Sequence, residues 1–321
     1  MTDKKLTLLV TGALGHIGSC LIREFDPDAV GKVIMLDNLA TQRYASLFNL
    51  PDEFDYKFIE DDVRTADVNS CFKGVDAVVH LAALTDVEKS YMRPEEVESV
   101  NLEGLKKVAD ACLRQKIKLF FPSTTSVYGS QGERVDETCG ELKPQSPYAE
   151  SKLKAEQHLA GLKFQGLRYV ICRFGTIFGP SIGMRFHTAV NKFIWQAVLG
   201  KPITVWKTAW EQKRPYLDLT DCVAAINFIL EKDLFDGEIF NGLTVNLRVK
   251  DIVETIKQFV PELTVDFVES PIMNQLSYEV DGNKLKKMGF EAKGNLHEGI
   301  KQTIDKLRFS EYSGRIEKGG K

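Results

Sequence analysis

A tyrosine and a lysine stand four residues apart in the stretch "SPYAESKLKAEQ", as Tyr148 and Lys152. On a helix that spacing is a little over one turn, so a phenol and an ammonium would share one face and lie close together. A phenol in that position is a candidate proton acceptor, because a neighbouring positive charge favours its ionised form. The same spacing also decorates ordinary surface helices, and the pair alone does not choose between the two. Ser146 and Pro147 mark the start of the helix: serine caps free N–H groups, and proline suits the first turn, where its missing N–H is no loss.

A second constellation opens the chain. "LTLLV" from Leu6 runs into "TGALGHIGSCLI", which sets Gly12, Gly15 and Gly18 at GxxGxxG spacing. A glycine turn between a strand and an amphipathic helix presents backbone N–H groups to a pyrophosphate. Gly12 is expected to permit the tight turn, Gly15 to let the backbone approach the phosphates, and Gly18 to let the helix pack close to the sheet. His16 and Ile17, in the same turn, are expected to face the cofactor. The second strand ends "VIMLDNL", placing Asp37 and Asn38 about twenty residues beyond the glycines. A carboxylate there accepts hydrogen bonds from an adenosine ribose and repels a 2′-phosphate, which selects NAD; Arg43 close behind keeps NADP as the alternative.

These groups need a scaffold, and the pattern supplies one. β-branched apolar runs at Leu6, Lys32, Tyr56, Ala77, Lys118 and Arg168 alternate with segments of helical period such as "IGSCLIREF" and "VESVNLEGLKKVADACLRQ". Such alternation predicts an α/β fold, a doubly wound parallel sheet of Rossmann type, over about residues 1–175. Residues 176–321 read as a smaller α+β substrate lobe that can interleave with the first domain. That half holds a loop at "SIGMRFH", helices near 189–199, 220–231, 249–259 and 296–307, a short strand near Ile239, and a loose polar tail, "SGRIEKGGK".

Composition narrows the partners. Net charge is −3 over 321 residues without long blocks of one sign, which argues against a nucleic-acid or membrane-surface partner. No signal peptide and no run of bilayer length stands out, so a cytoplasmic protein is expected. The six cysteines are scattered without a CxxC pair, and the five histidines lack ligand spacing, so no metal is expected.

At this point the chain resembles the extended short-chain dehydrogenase/reductase family, and within it the nucleotide-sugar epimerases and dehydratases. The resemblance rests on "TGALGHIG", "LDNL", "EDDVR", "HLAA", "SVNLEG", "PSTTSVYG", "YAESK" and "RFGTIFGP", in family order. It implies that Asp62 and Val63 touch the adenine, that Leu81, Ala82 and Ala83 line the cofactor, and that Asn101 lies behind the active site. It implies a catalytic set of Thr124, Tyr148 and Lys152: Thr124 holds the substrate oxygen, Tyr148 takes the hydroxyl proton as hydride leaves the carbinol carbon, and Lys152 favours the phenolate and bonds the nicotinamide ribose. Substrate contacts are implied at Thr85, Thr124, Thr125, Thr176, Arg185, His187 and Arg214, with Arg214 on the diphosphate of a nucleotide-diphosphate sugar. His80 reads as a core histidine, and Trp195, Trp206 and Trp210 either as base-stacking residues or as core and interface aromatics.

The two residues after Thr124 are Thr125 and Ser126, where dehydratases of the family carry an acid pair. That favours an NAD-dependent C4 epimerase, with a dehydratase or keto-sugar reductase as the alternative and a non-catalytic dinucleotide-binding protein behind both. Thr176 and "RPY" depart from the family's usual asparagine and "RDF" or "RDY", which leaves the sugar open. A homodimer is the expectation the family suggests.

Overall fold

The computed structural model describes residues 5–269 and 277–310; the tail "SGRIEKGGK" lies outside the described residues. Twelve strands are described: β1 (Leu6–Thr11), β2 (Val30–Asp37), β3 (Asp55–Glu60), β4 (Ala77–His80), β5 (Lys118–Thr124), β6 (Tyr169–Phe174), β7 (Thr176–Phe178), β8 (Ile203–Trp206), β9 (Lys213–Asp218), β10 (Ile239–Gly242), β11 (Val245–Arg248) and β12 (Val265–Val268). Seven form one sheet in the order β10-β6-β5-β4-β1-β2-β3. Every pairing in it is parallel.

Parallel strands of this kind are covered on both faces, so their sequences are apolar almost continuously. Strand β1 shows the division: Leu8 and Val10 enter the core on one face, Leu9 the core on the other, and all three are fully buried. The strand order reverses between β1 and β4, and in such sheets the crevice beyond the carboxyl ends is the ligand site. Thr11, Asp37, His80, Thr124 and Phe174 all end strands on that edge.

The second half of the chain is divided between two bodies. Helices Ala189–Val198, Val249–Phe259 and Leu296–Leu307 pack with β8 and β9 around a separate apolar core. Helix Leu219–Glu231 instead returns its buried face, with Cys222, Ile226 and Ile229, to the core of the main sheet, and β10 extends that sheet beside β6. Strands β7, β9 and β11 form a small sheet beside it.

Two helices differ from their periodicity. The helix expected over "IGSCLIREF" spans only His16–Leu21, because Arg23 folds its guanidinium back onto the carbonyls of Ser19 (2.6 Å), Ser46 (2.8 Å) and Phe48 (2.7 Å). The long helical segment before β5 is interrupted by a π-helical turn at Ser99–Glu103, and Asn101 within it is buried. π-turns of this kind are often found where a side chain is re-aimed for function.

Candidate active site

The glycine turn is closed by its own backbone. Gly12 has φ +65°, its N–H donates to Leu36 O at 2.8 Å, and a side chain there would begin 2.7 Å from the Ala82 nitrogen. At Gly18 a side chain would lie 2.6 Å from the carbonyl oxygens of Gly12 and Ala13, so this glycine packs the helix against the turn itself. Asp37 ties the turn to β2: its carboxylate accepts from the N–H of Leu14 (3.1 Å) and of Leu39 (2.9 Å). Leu81 and Ala82 cross beside Gly12, their N–H groups bonded to the Thr11 carbonyl (3.0 Å) and hydroxyl (3.2 Å).

On the rim, Asn38 donates to Asp62 at 2.8 Å, and Arg64 forks onto the same carboxylate at 2.8 Å. Hydrogen bonding from Arg64 is the main reason that Asp62 is held well below the usual carboxylate range. Val63 is buried in the core under this rim. Asn101 clamps the chain after β4, accepting from Leu84 N–H (2.8 Å) and donating to Leu84 O and to Ser151 (both 3.0 Å), which joins that loop to the helix of Tyr148.

That helix, Pro147–Lys163, starts as its sequence implies, with Pro147 in the first turn and the Ser146 hydroxyl accepting from Ala149 N–H at 3.2 Å. The Tyr148 phenol is hydrogen-bonded to Thr124 and raised above its ordinary pKa, chiefly by burial; the positive charge of Arg185 works the other way. Lys152, 3% exposed, directs Nζ to Pro122 O at 2.8 Å and lies 4.5 Å over the Phe121 ring. Burial, with Arg185 adding to it and Glu156 opposing it, brings Lys152 down to about 7.

Two cavities meet at this point. The inner one is lined by Ile17, Leu81, Ala83, Thr124, Tyr148, Lys152 and Arg185. The outer one, toward the smaller lobe, is lined by Lys192, Phe193, Trp206, Arg214 and Tyr216. Thr85, Ser126, Thr176 and His187 line both. Thr125 lines neither: it is 2% exposed, with its hydroxyl turned to Phe174 O (3.4 Å) and Tyr278 (3.2 Å). Its expected substrate contact therefore does not fit its placement, and Ser126 is the hydroxyl that faces the cavity. Trp195 packs on Phe186 and Trp210 on Phe267, each at 5.2 Å between ring centroids, so of the three tryptophans Trp206 borders the outer cavity.

The loop after β7 covers the glycine turn. Gly183 comes so close that a side chain would begin 2.4 Å from the carbonyl oxygens of Leu14 and Gly15, and its N–H donates to Ser19 Oγ at 2.9 Å. Ser181 is hydrogen-bonded to His16 at 2.8 Å, and Arg185 donates to Thr85. Arg185 is lowered to about 10, first by burial and then by Arg43; Tyr148, Asp86 and Asp37 oppose this. Sequence reasoning found Arg185 but passed over Gly183 and Ser181; the signal was the glycine that follows "FGP" by three residues.

His80 and His16 make acid sensitivity a property of the fold. His80, 1% exposed and bonded to Thr11 at 2.9 Å, is lowered to about 3 by burial and then by Lys152. His16, 6% exposed, is lowered to about 3 by burial and then by Arg185. The unfolded chain takes up these protons near pH 6.5 and the folded chain resists until about pH 3. Between those values the unfolded state holds more protons, so stability falls with pH by about 1.4 kcal/mol per unit for each histidine. Urea midpoints measured between pH 6.5 and 5 are expected to drop as pH falls, with a shallower drop in His80→Asn; equal slopes in the two proteins contradict this.

Among the described residues no cluster of His, Cys, Asp and Glu could hold a metal ion, and no helix is long and apolar enough to cross a membrane. All six cysteines are free thiols.

Comparison with known proteins gives the same picture. The Bacillus subtilis (strain 168) protein YtcB, described as an uncharacterized UDP-glucose epimerase, is 35% identical over 245 residues, 74% of this chain and 76% of its own. A trifunctional UDP-glucose 4,6-dehydratase/UDP-4-keto-6-deoxy-D-glucose 3,5-epimerase/UDP-4-keto-L-rhamnose-reductase of Arabidopsis thaliana is 30% identical across 95% of this chain, which spans only 47% of that longer protein. The UDP-glucuronic acid 4-epimerase of Bacillus cereus, solved with UDP-glucuronic acid and NAD, superposes with a TM-score of 0.86 at 26% identity, covering 94% of this chain and 99% of its own. The UDP-glucose 4-epimerase of Thermus thermophilus, solved with NAD, gives 0.83 at 28% identity, covering 95% and 100%. The profile of the NAD dependent epimerase/dehydratase family matches residues 8–241. With that match over most of its length, this chain is a member of the NAD dependent epimerase/dehydratase family.

Proposed function

We propose that this protein is an NAD-dependent nucleotide-sugar epimerase acting at C4 by transient oxidation to a 4-keto sugar and re-reduction. The observation that carries the reading is the pair of adjoining cavities: the Tyr148 and Thr124 hydroxyls line the inner one, which shares Thr85, Ser126, Thr176 and His187 with the one bordered by Arg214. The Gly12–Gly18 turn, with no room for side chains at either end, and the Asp37 carboxylate fit a dinucleotide in the inner site. When bound, NAD supplies a hydride acceptor that can return the hydride to either face of the sugar. Tyr148 takes the C4 hydroxyl proton, Thr124 holds the oxygen, and the charges of Lys152 and Arg185 favour the phenolate. Arg214, its Nη2 on Gln212 at 3.1 Å, is suited to the diphosphate. Asn38, Asp62, Val63, Leu81, Ala82, Ala83 and Asn101 frame the adenosine and nicotinamide ends. The protein is taken to work as a cytoplasmic homodimer through the helix of Tyr148 and its neighbour Gly104–Gln115.

The polar side chains lining the inner cavity are hydroxyls, cations and His187, without a carboxylate among its described residues. This favours epimerisation, since expelling water from C5 and C6 needs an acid and a base beside the sugar. One feature favours dehydration as the second reading: His187, on the boundary between the cavities and interacting with Asp86, is lowered to about 4, chiefly by burial, and stays a neutral base at pH 7. Incubation with a panel of nucleotide sugars in deuterated water, followed by proton NMR, tests both. Epimerisation predicts a new sugar without solvent deuterium and without net reduction of NAD; deuterium at C5 with loss of water would rule it out in favour of dehydration.

A further inference from the structure

Tyr148, Lys152 and Glu156 recur every four residues along one stripe of helix Pro147–Lys163, and all three meet the end of one strand. Tyr148 bonds Thr124, Lys152 donates to Pro122 O at 2.8 Å, and Ser123 Oγ donates to Glu156 Oε1 at 2.5 Å. Three successive residues of β5 thus carry one rung each. Behind the last rung stands Arg173 of β6, the lateral neighbour of Ser123, which donates Nε (3.1 Å) and Nη2 (2.6 Å) to the Glu156 carboxylate. Both side chains are only 4% exposed. Arg173 also lies 4.9 Å over the Tyr128 ring, whose hydroxyl donates to Asn241 at 2.9 Å.

A buried ion pair seldom adds stability over apolar residues of the same shape, so packing alone does not account for two charges beneath this site. One helical turn before this carboxylate stands Lys152, bonded to Pro122 O rather than paired with it. Lys152 is buried, with Arg185 on the covering loop, His80 on β4 and Tyr148 on its own helix as the other titratable groups around it; Arg173 on β6 stands beyond, paired with Glu156. We propose that Glu156, held by Arg173 and Ser123, is a positioning residue for the hydride-transfer centre: it fixes the height of the Tyr148–Lys152 helix on β5 and supplies the negative charge opposite Lys152. Arg173 neutralises part of that charge, so the two act on Lys152 with opposite signs. The consequence for turnover rests on the epimerase reading; the effect on Lys152 does not.

The test is a titration of the full-length protein with NAD, its lysines labelled with carbon-13 at Cε and the Lys152 signal assigned by its loss in Lys152→Arg. In Glu156→Gln, which keeps the shape and loses the charge, the Lys152 midpoint is expected to fall by about one pH unit or more, and the alkaline limb of kcat to move with it. In Arg173→Met the midpoint is expected to rise, and in the double variant to return to near the wild-type value. Glu156→Asp keeps the charge, so its midpoint stays near wild type even if the shorter arm lowers kcat; the rise in Arg173→Met carries the test if Glu156→Gln does not fold. A brace without electrostatic effect would lower stability and leave the Lys152 midpoint in place; that result, or shifts of the same sign in both single variants, would overturn the proposal. If the wild-type protein turned over no nucleotide sugar, the epimerase reading would fail while the titration still decided this one.

Discussion

Tyr148→Phe is expected to lower turnover by about 10²–10⁴-fold, the range that general acid–base catalysis contributes, while NAD binding stays close to wild type. The variant removes one oxygen and keeps the ring. That oxygen is bonded to Thr124, and Tyr148 lines the inner cavity. The groups proposed to hold the dinucleotide, the Gly12 turn and Asp37, are bonded among themselves and to β2, so they do not depend on the phenol. Stability should change by about 1 kcal/mol, the ordinary value of one lost hydrogen bond, because Thr124 keeps the Ser126 N–H as donor at 3.1 Å. Burial raises the phenol, so the base is the minority form near neutral pH, and activity should climb with pH as it ionises until loss of the Lys152 proton reverses the trend. Turnover measured from pH 6 to 9 together with NAD binding separates the outcomes. Unchanged turnover takes Tyr148 out of the mechanism, and joint loss of turnover and NAD binding makes it a cofactor residue instead.

The parts of this site that local sequence could reveal were those whose chemistry is local. Gly12, Asp37, Ser146, Tyr148 and Lys152 each act through the backbone turn or helix on which they sit, so spacing alone places them. The main sheet was legible for the same reason: strands buried on both faces read as unbroken apolar runs, as in β1 and β4. Residues whose roles depend on distant partners were not legible. Gly183 matters because a loop from the second half lies on Leu14 and Gly15, and Tyr278 because it meets Thr125 across 153 residues of chain. Glu156 continues the four-residue stripe of Tyr148 and Lys152, but only the adjacent Arg173 separates it from surface decoration. Thr125 and Ser126 show the limit most directly. Consecutive residues in the single helical turn Thr125–Tyr128 point about 120° apart, and which one enters the cavity is decided by Tyr278 and Phe174 rather than by their neighbours in sequence. Strands β7, β9 and β11 escaped because runs of three to six residues beside Gly and Pro lack the length for a clear period.

Gly12→Ala should abolish measurable NAD binding, with a loss of at least about 100-fold, equivalent to roughly 2.7 kcal/mol. Two penalties coincide at this position. The backbone sits at φ +65°, where an L side chain costs about 1–2 kcal/mol. The new Cβ would also begin 2.7 Å from the Ala82 nitrogen and 2.8 Å from the Leu81 carbonyl carbon. Those are backbone atoms, and they cannot yield cheaply, since the Leu81 and Ala82 N–H groups are held by Thr11 and the Gly12 N–H by Leu36. The turn must therefore open away from β4, which carries the Leu14 N–H off Asp37 and misaligns the N–H groups proposed to hold the phosphates. Gly132→Ala is the control, because a side chain there meets nothing within 4 Å. Calorimetric titration with NAD on both variants, with circular dichroism to verify the fold, checks the outcome. Wild-type affinity in folded Gly12→Ala would mean that the dinucleotide does not lie on this turn, and the assignment of Asp37 to its ribose would fall with it.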